Sequence, residues 1–424
     1  MTDKHLSDYC LAVAKRAKRA SYELATVSSA TKNAWLELTA KRLSERAPEI
    51  LKANEADLAA AREAGLSAAM IDRLTLTEKT LASMAQALRE IAAFRDPIGS
   101  IASSSFRPDG FEVRKVRTPI GVVFFIYESR PTVTTDAAAI CVKSGNVAIL
   151  RGGKEAIHSN LALGKILKEC AAETGLPEDA VQLLDTTDRD AVDEFLHRPE
   201  YVDVVIPRGG YSLVKRVSTE ARMPVIKHFA GNCHVYIDKS ADLAIAEKVL
   251  VNSKLQRLGT CNTAESLVVH SEIAKDALPV LLGALAKGGC KIYGDEATLA
   301  LAGPDVGVFR ATEEDYDMEY LAAKISVKVV DSLQQAIEFI NEHSSGHTEA
   351  IVTRDLEAAR AFAAGIDSAA VIINASTRLH DGGQFGLGAE IGISTDKFHV
   401  RGPCGVDELT SYKYVVVGDG NIRE

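Results

Sequence analysis

The stretch Asn146-Val147-Ala148-Ile149-Leu150-Arg151-Gly152-Gly153-Lys154 sets the fold class. Its apolar run has no polar alternation, so it predicts a strand buried on both faces. The glycines then turn the chain into a helical pattern from about residue 154 to 174. The same rhythm recurs on either side. Residues 121–127 are another continuous apolar run. Residues 181–184 precede a helix near 189–197, residues 202–206 precede one starting near Gly210, and Val225-Ile226-Lys227 follow. Strand, crossover helix and strand in series predict a parallel, doubly wound α/β sheet. After about residue 256, strands over 266–270, 327–330 and 350–353 and helices over 273–287 and 333–341 predict a second α/β domain.

Outward from this frame, residues 1–95 read as helices, with Leu36, Leu43 and Leu51 on a helical period and Pro48 suited to a first turn. Asp96-Pro97 marks a break. Glu112-Val113-Arg114-Lys115-Val116-Arg117 alternates like a half-buried strand, and residues 410–417 read as a late strand suited to pairing with another element or another subunit.

The chain has 424 residues, 46% hydrophobic and 25% charged, which predicts two or three soluble globular domains. The formal net charge of -9 argues against nucleic acid or an anionic membrane as partner. No apolar run approaches the roughly 18 residues needed to span a bilayer. The first twenty residues carry Asp3 and Asp8 and no apolar core, and are read as a surface helix. The seven cysteines (10, 141, 170, 233, 261, 290, 404) form neither a CxxC pair nor zinc-like spacing, as expected of reduced thiols in a cytoplasmic protein.

Among them Cys261 stands out. It lies in Leu258-Gly259-Thr260-Cys261-Asn262-Thr263, among small and polar residues, on a loop between a predicted helix (241–256) and a strand. That setting suits a thiolate nucleophile, which attacks activated carbonyls well near neutral pH. The alternative is a buried core thiol, the role of most cytosolic cysteines. Cys141 and Cys170 fall on predicted helices and make weaker cases.

For a cofactor, the glycines 386, 388 and 392 have the wrong spacing for a dinucleotide fingerprint and follow no clear strand. Arg151-Gly152-Gly153-Lys154 is better placed, since it joins a buried strand to a helix start. Cations there oppose the helix dipole, which a bound phosphate would explain; an ordinary tight turn with two solvated cations is the alternative. Pro207-Arg208-Gly209-Gly210 repeats the arrangement. Arginine grips carboxylate and phosphate with two parallel hydrogen bonds, which makes Arg130, Arg378 and Arg401, all in glycine-, serine- or proline-containing loops, substrate-binding candidates or else solvated surface cations.

The segments YESRP, LRGGK, LGTCNTAE and HSSGHTEAI, in this order, resemble the aldehyde dehydrogenase superfamily and, within it, the reductases that act on γ-glutamyl phosphate. The resemblance covers most of the chain from about residue 110. It implies an aldehyde dehydrogenase-like fold: two doubly wound Rossmann-like α/β domains plus a small β oligomerisation flap. The implied division is 1–255 for the dinucleotide-binding domain, with part of 120–140 and 400–424 in the flap, 256–375 for the catalytic cysteine domain, and 376–424 for the return to the cofactor domain and an oligomerisation strand. The implied reaction is NADPH-dependent reduction of L-glutamate 5-phosphate to L-glutamate 5-semialdehyde through a thioester on Cys261, the second step of proline biosynthesis. An oxidising or CoA-acylating aldehyde dehydrogenase and an inactive scaffold are the rival readings.

The family match assigns further residues. Lys154 stands where relatives carry a glutamate that grips the adenosine ribose, and a lysine there favours the 2′-phosphate of NADPH. Arg151, Gly152, Gly153, Arg208 and Gly209 fall at the cofactor turns, and Glu319 at a ribose contact. The family's oxyanion asparagine is absent from Glu128-Ser129-Arg130-Pro131, leaving Ser129 or Arg130 in its place. His228 stands near the position of the glutamate that activates water in hydrolysing relatives, whose loss suits a thioester exchanging with phosphate. His347 belongs to a stretch read as a loop lining the active-site cleft; its glycine and lack of a clear helix argue against a metal with His343. The resemblance also implies a homo-oligomer and a partnership with glutamate 5-kinase, because acyl phosphates are labile.

Overall fold

Five helices open the chain: α1 (Asp3–Leu24), α2 (Ser29–Glu45), α3 (Ala47–Glu63), α4 (Ala68–Leu74) and α5 (Glu78–Ala93). α1 is more than a surface helix. Cys10, Val13, Ala14, Ala17 and Leu24 recur at helical spacing and are buried, so one face packs into the core. This computed structural model describes residues 3–227, 229–304 and 306–423.

Next, β1 (Ile101–Phe106) and β2 (Glu112–Pro119) pair antiparallel, and β2 pairs antiparallel with the C-terminal strand Thr410–Val417. β3 (Val122–Tyr127), α6 (Thr132–Lys143), β4 (Val147–Arg151), α7 (Ile157–Thr174), β5 (Val181–Leu183), α8 (Asp190–Leu196), β6 (Val204–Arg208) and α9 (Tyr211–Glu220) follow. The four strands form a parallel sheet in the order β5-β4-β3-β6. All six residues of β3 are buried, as its unbroken apolar run requires. Val225 makes only an isolated bridge to Val205 rather than a full strand.

The second unit contains β7 (Cys233–Ile237), α10 (Leu243–Leu255), β8 (Ala264–His270), α11 (Ser271–Lys287), β9 (Lys291–Gly294), α12 (Glu296–Leu301), β10 (Val308–Arg310), α13 (Glu313–Asp317), β11 (Lys324–Val330), α14 (Leu333–His343), β12 (Thr348–Val352), α15 (Leu356–Gly365) and β13 (Ala370–Ile373). Its sheet is parallel, in the order β10-β9-β11-β8-β7-β12-β13. Alternation along β7 fills both faces. Val235 and Ile237 pack with Leu250 of α10 and Leu278 of α11, while Tyr236 packs with Ile340 of α14 and Phe362 of α15.

Two boundaries differ from expectation. The first unit takes the chain through residue 227, then 387–392 and 404 onward, and the second takes the rest through 386 together with 393–403. A division after residue 255 would separate β7 and α10 from the sheet they belong to, because β7 pairs with β8 and β12. Nor does the region 120–140 join the flap. It is β3 and α6 of the parallel sheet, and the flap strands are β1, β2 and 410–417.

Candidate active site

The nucleophile loop of the second unit joins α10 to β8 and is held from several sides. The Thr263 hydroxyl donates to the Arg257 carbonyl at 2.6 Å, and the Thr263 amide to the Thr260 carbonyl at 3.0 Å. The Asn262 side chain donates from Nδ2 to the carbonyl of His380 at 3.0 Å, and the Thr377 hydroxyl donates to the backbone carbonyl of Asn262 at 2.7 Å. The Cys233 thiol donates to the carbonyl of Cys261 at 3.1 Å. Cys261 is partly exposed, whereas the other six cysteines are buried. Gly231 lies against this backbone so closely that a Cβ there would fall 1.9 Å from the Cys261 carbonyl oxygen.

Beneath the loop runs a buried polar chain. Cys233 Sγ stands 3.8 Å from His347 Nδ1, which is 2.6 Å from Thr348 Oγ1, itself 2.7 Å from His380 Nδ1. His347 is thus fully buried under the nucleophile loop rather than lining an open cleft, and residues 348–352 of its motif are strand β12. Glu349 on that strand accepts from the His234 amide at 2.7 Å and from the Ser368 hydroxyl at 3.2 Å, and also from Ser344.

Burial pushes the His380 imidazole down to about 4. A base depressed on folding contributes stability that is complete above its unfolded value, near 6.5, and lost as pH falls through the folded one. Stability should therefore drop by up to about 3 kcal/mol between pH 6.5 and about 4. Denaturant melts across that range should show a shallower fall for His380→Asn than for the native chain; equal slopes would assign the effect to another group.

The remaining candidates of this unit are distributed as follows. Arg378 Nε donates to Gln256 Oε1 at 2.9 Å. Burial and the neighbouring Arg257 push its guanidinium down, and the Cys261 sulfur draws it up. Arg401 is paired with Asp367 at 2.9 Å, which Lys397 also contacts, so a substrate carboxylate would compete with an internal one. Glu319 accepts from the Gly231 amide at 2.7 Å, tying it to the segment that touches Cys261; burial pushes its carboxyl up. His228 lies outside the described residues.

Cys233, Thr348, Thr377 and His380 escaped sequence reasoning, as did the buried ion pair of Lys254 with Glu265 directly after the loop. Burial pushes the Glu265 carboxyl up, opposed by Lys254. Its other oxygen accepts from the Leu321 amide at 3.1 Å. The TAE triplet of the nucleophile segment was the available signal.

In the first unit, the cofactor candidates lie where the parallel strands end. Order reverses between β3 and β6, and such a switch point at the carboxyl edge is where open α/β sheets take ligands. Gly209 leaves room there for the Glu128 carboxylate, which a Cβ would approach to 2.5 Å and which accepts from the Gly210 amide at 2.9 Å. Arg208 donates to the Ile391 carbonyl at 2.9 Å, and faces Asp136, whose carboxyl burial pushes up to about 6.

The helix starts later than the sequence predicts. Lys154 opens a single 3-10 turn, Lys154–Ala156, and α7 begins at Ile157. The first amides of α7, from His158 and Ser159, donate to the Asp57 carboxylate at 3.1 and 2.8 Å. The chain's own carboxylate therefore occupies the helix terminus that a phosphate would use. Gly152 and Gly153 make room for Asn160 and Glu155. Arg151 donates to the carbonyls of Gly152 and Thr187. Lys154 is exposed at the sheet's carboxyl edge. Ser129 donates its amide and its only hydroxyl proton to Glu155, both at 2.7 Å. Arg130 stands just before α6.

A nucleophile loop on one α/β unit and an exposed cation at the carboxyl edge of another are the features of a cysteine-dependent dehydrogenase. The model of the aldehyde dehydrogenase family matches residues 4–296 and 314–413, and the chain belongs to this family. It is 54% identical over 418 residues to a gamma-glutamyl phosphate reductase of Rhodopirellula baltica, covering 99% of this chain and 96% of that one. The crystal structure of gamma-glutamyl phosphate reductase from Thermotoga maritima matches with a TM-score of 0.95 at 45% identity, covering 98% of this chain and all of that one. An acetylating aldehyde dehydrogenase from Geobacillus thermoglucosidasius shares the fold with a TM-score of 0.72 at 18% identity, over 100% of this chain and 99% of that one.

Proposed function

We infer that this chain catalyses the NADPH-dependent reduction of L-glutamate 5-phosphate to L-glutamate 5-semialdehyde with release of phosphate, the second step of proline biosynthesis. The observation that carries this reading is Cys261, the single partly exposed thiol of seven, on a clamped loop in a chain 54% identical to a gamma-glutamyl phosphate reductase over almost its full length. Its thiolate attacks the acyl carbon, the carbon–oxygen bond to phosphate breaks with its electron pair on the phosphate, and a thioester remains. A nicotinamide dinucleotide supplies the hydride that reduces this thioester. The Cys261 backbone amide is the expected oxyanion donor. Ser129 can add a second only by leaving Glu155.

We assign such a cofactor to the carboxyl edge of the first sheet, where Lys154 is exposed; at Arg151, Gly152, Gly153, Arg208 and Gly209 it would have to join or displace the internal contacts described above, and Glu319 is assigned the ribose contact. Lys154 selects NADPH through its charge. Because this lysine is exposed, its interaction with a 2′-phosphate falls at the weak end of charge-assisted bonds. Lys154→Glu should raise the KM for NADPH about tenfold and leave that for NADH within about twofold. Equal shifts with both cofactors would remove Lys154 from this role.

Exposed Phe106, Tyr414 and Val416 on the three-stranded flap support assembly with further copies of the chain. The lability of an acyl phosphate supports a partnership with glutamate 5-kinase. Among the described residues no helix is long and apolar enough to cross a membrane, and we place the reaction in the cytoplasm. One assay tests the reaction itself: NADP reduction with glutamate 5-semialdehyde, with and without phosphate or arsenate. Strict anion dependence is expected. Turnover without the anion would indicate a hydrolysing dehydrogenase, and no turnover an inactive scaffold.

A further inference from the structure

Arg378 and the backbone of Arg257 are tied to the Cys261 loop by a set of hydrogen bonds. The Ser253 hydroxyl, at the end of α10, accepts from the Thr377 amide at 3.1 Å and lies 3.1 Å from the Ser376 hydroxyl. Gln256 holds Arg378 Nε at 2.9 Å. Thr377 holds the Asn262 carbonyl at 2.7 Å, and Thr263 holds the Arg257 carbonyl at 2.6 Å. These contacts pin the turn Thr377–Leu379 against both the end of α10 and the Cys261 loop. Among the described residues neither arginine is joined to a carboxylate by a salt bridge; after burial, the like charge of Arg257 pushes the Arg378 guanidinium down, while Cys261 and Asp381 draw it up.

Helix polarity explains only half of this. A cation just past the C-terminus of α10 is favourable, which accounts for Arg257. It does not account for a second, partly buried guanidinium held by its Nε on Gln256 within reach of the first one's charge. Holding Arg378 by Nε leaves its two terminal nitrogens for the planar fork that arginine presents to phosphate.

We propose that Arg257 and Arg378 form the phosphate subsite of this active site, receiving the phosphoryl group of the acyl phosphate next to Cys261. When the sulfur–carbon bond forms and the carbon–oxygen bond breaks, the charge that collects on the departing phosphate falls between two guanidiniums. The same pair holds inorganic phosphate for attack on the thioester in the reverse direction. This rests on the reading of the chain as an acyl-phosphate reductase.

The test uses the full-length protein in the reverse direction, with inorganic phosphate varied against NADP and glutamate 5-semialdehyde. Arg257→Gln and Arg378→Gln should each raise the KM for phosphate about tenfold or more, the worth of a charge-assisted hydrogen bond, and leave the KM for NADP within about twofold. Arg378→Lys should recover part of the loss. Independently of turnover, phosphate should slow alkylation of Cys261 by iodoacetamide in the native protein, and the variants should need about tenfold more phosphate for the same protection. If the native enzyme depends on phosphate while both variants keep its KM and its protection, the arginine assignment is overturned and the reaction stands. If the native enzyme turns over without phosphate, the reaction assignment itself falls.

Discussion

Cys261→Ala is expected to abolish turnover, lowering kcat by about ten-thousand-fold or more, while NADPH binding followed by nucleotide fluorescence stays within about twofold of native. The magnitude follows from the role. A nucleophile that carries a covalent intermediate has no partial substitute, so its removal forfeits the whole two-step route. The six other thiols cannot stand in, because all are buried. Burial raises the nearest of them, Cys233, well above the ordinary thiol range, and its hydrogen is given to the Cys261 carbonyl. Cofactor binding should survive because the cations proposed for it, Lys154, Arg151 and Arg208, lie on the first unit and not on the Cys261 loop. Residual turnover above about one per cent of native would return Cys261 to the status of a structural thiol.

Gly231→Ala is expected to lower kcat about a hundredfold without touching any reacting group. The added methyl would lie 1.9 Å from the carbonyl oxygen of Cys261 and 2.5 Å from its carbonyl carbon and Cα. These are backbone atoms, so no rotamer change relieves the contact. The nucleophile loop must shift, yet Cys233, Asn262 and Thr377 hold it in place. A displacement of about 1 Å at the attacking atom is enough for a hundredfold loss. The measurement is kcat together with the melting temperature. Gly283→Ala in α11, where a Cβ meets nothing within 4 Å, serves as the control and should leave both unchanged or stabilise slightly. Native turnover in Gly231→Ala would show that the loop yields freely and that the clamp does not position Cys261.

Much of this was legible in particular residues. β3 and β4 are unbroken apolar runs that only a two-sided burial explains, and their crossover is right for a parallel sheet. Cys261 was identifiable because glycine, threonine and asparagine around a cysteine do not make a core. Less visible was β7, whose His234 reads as a polar, exposed residue. It is buried because Glu349, 115 positions later, takes its amide hydrogen and its ring. The division after 255 that the resemblance implied therefore cuts this strand away from the sheet it belongs to. That the terminus of α7 is already occupied was invisible for the same kind of reason, since Asp57 arrives from about a hundred residues upstream.

The sequence by itself determined the α/β class, the nucleophile and the position of its loop, because apolar periodicity and local composition act over a few neighbouring residues. Only the tertiary structure decided which polar groups are satisfied, which strands share a sheet, and that Arg378 is held by Gln256 close to Cys261. Hydrogen bonding and charge are settled between residues far apart in the chain, and no local pattern encodes which distant partner will neutralise a buried group.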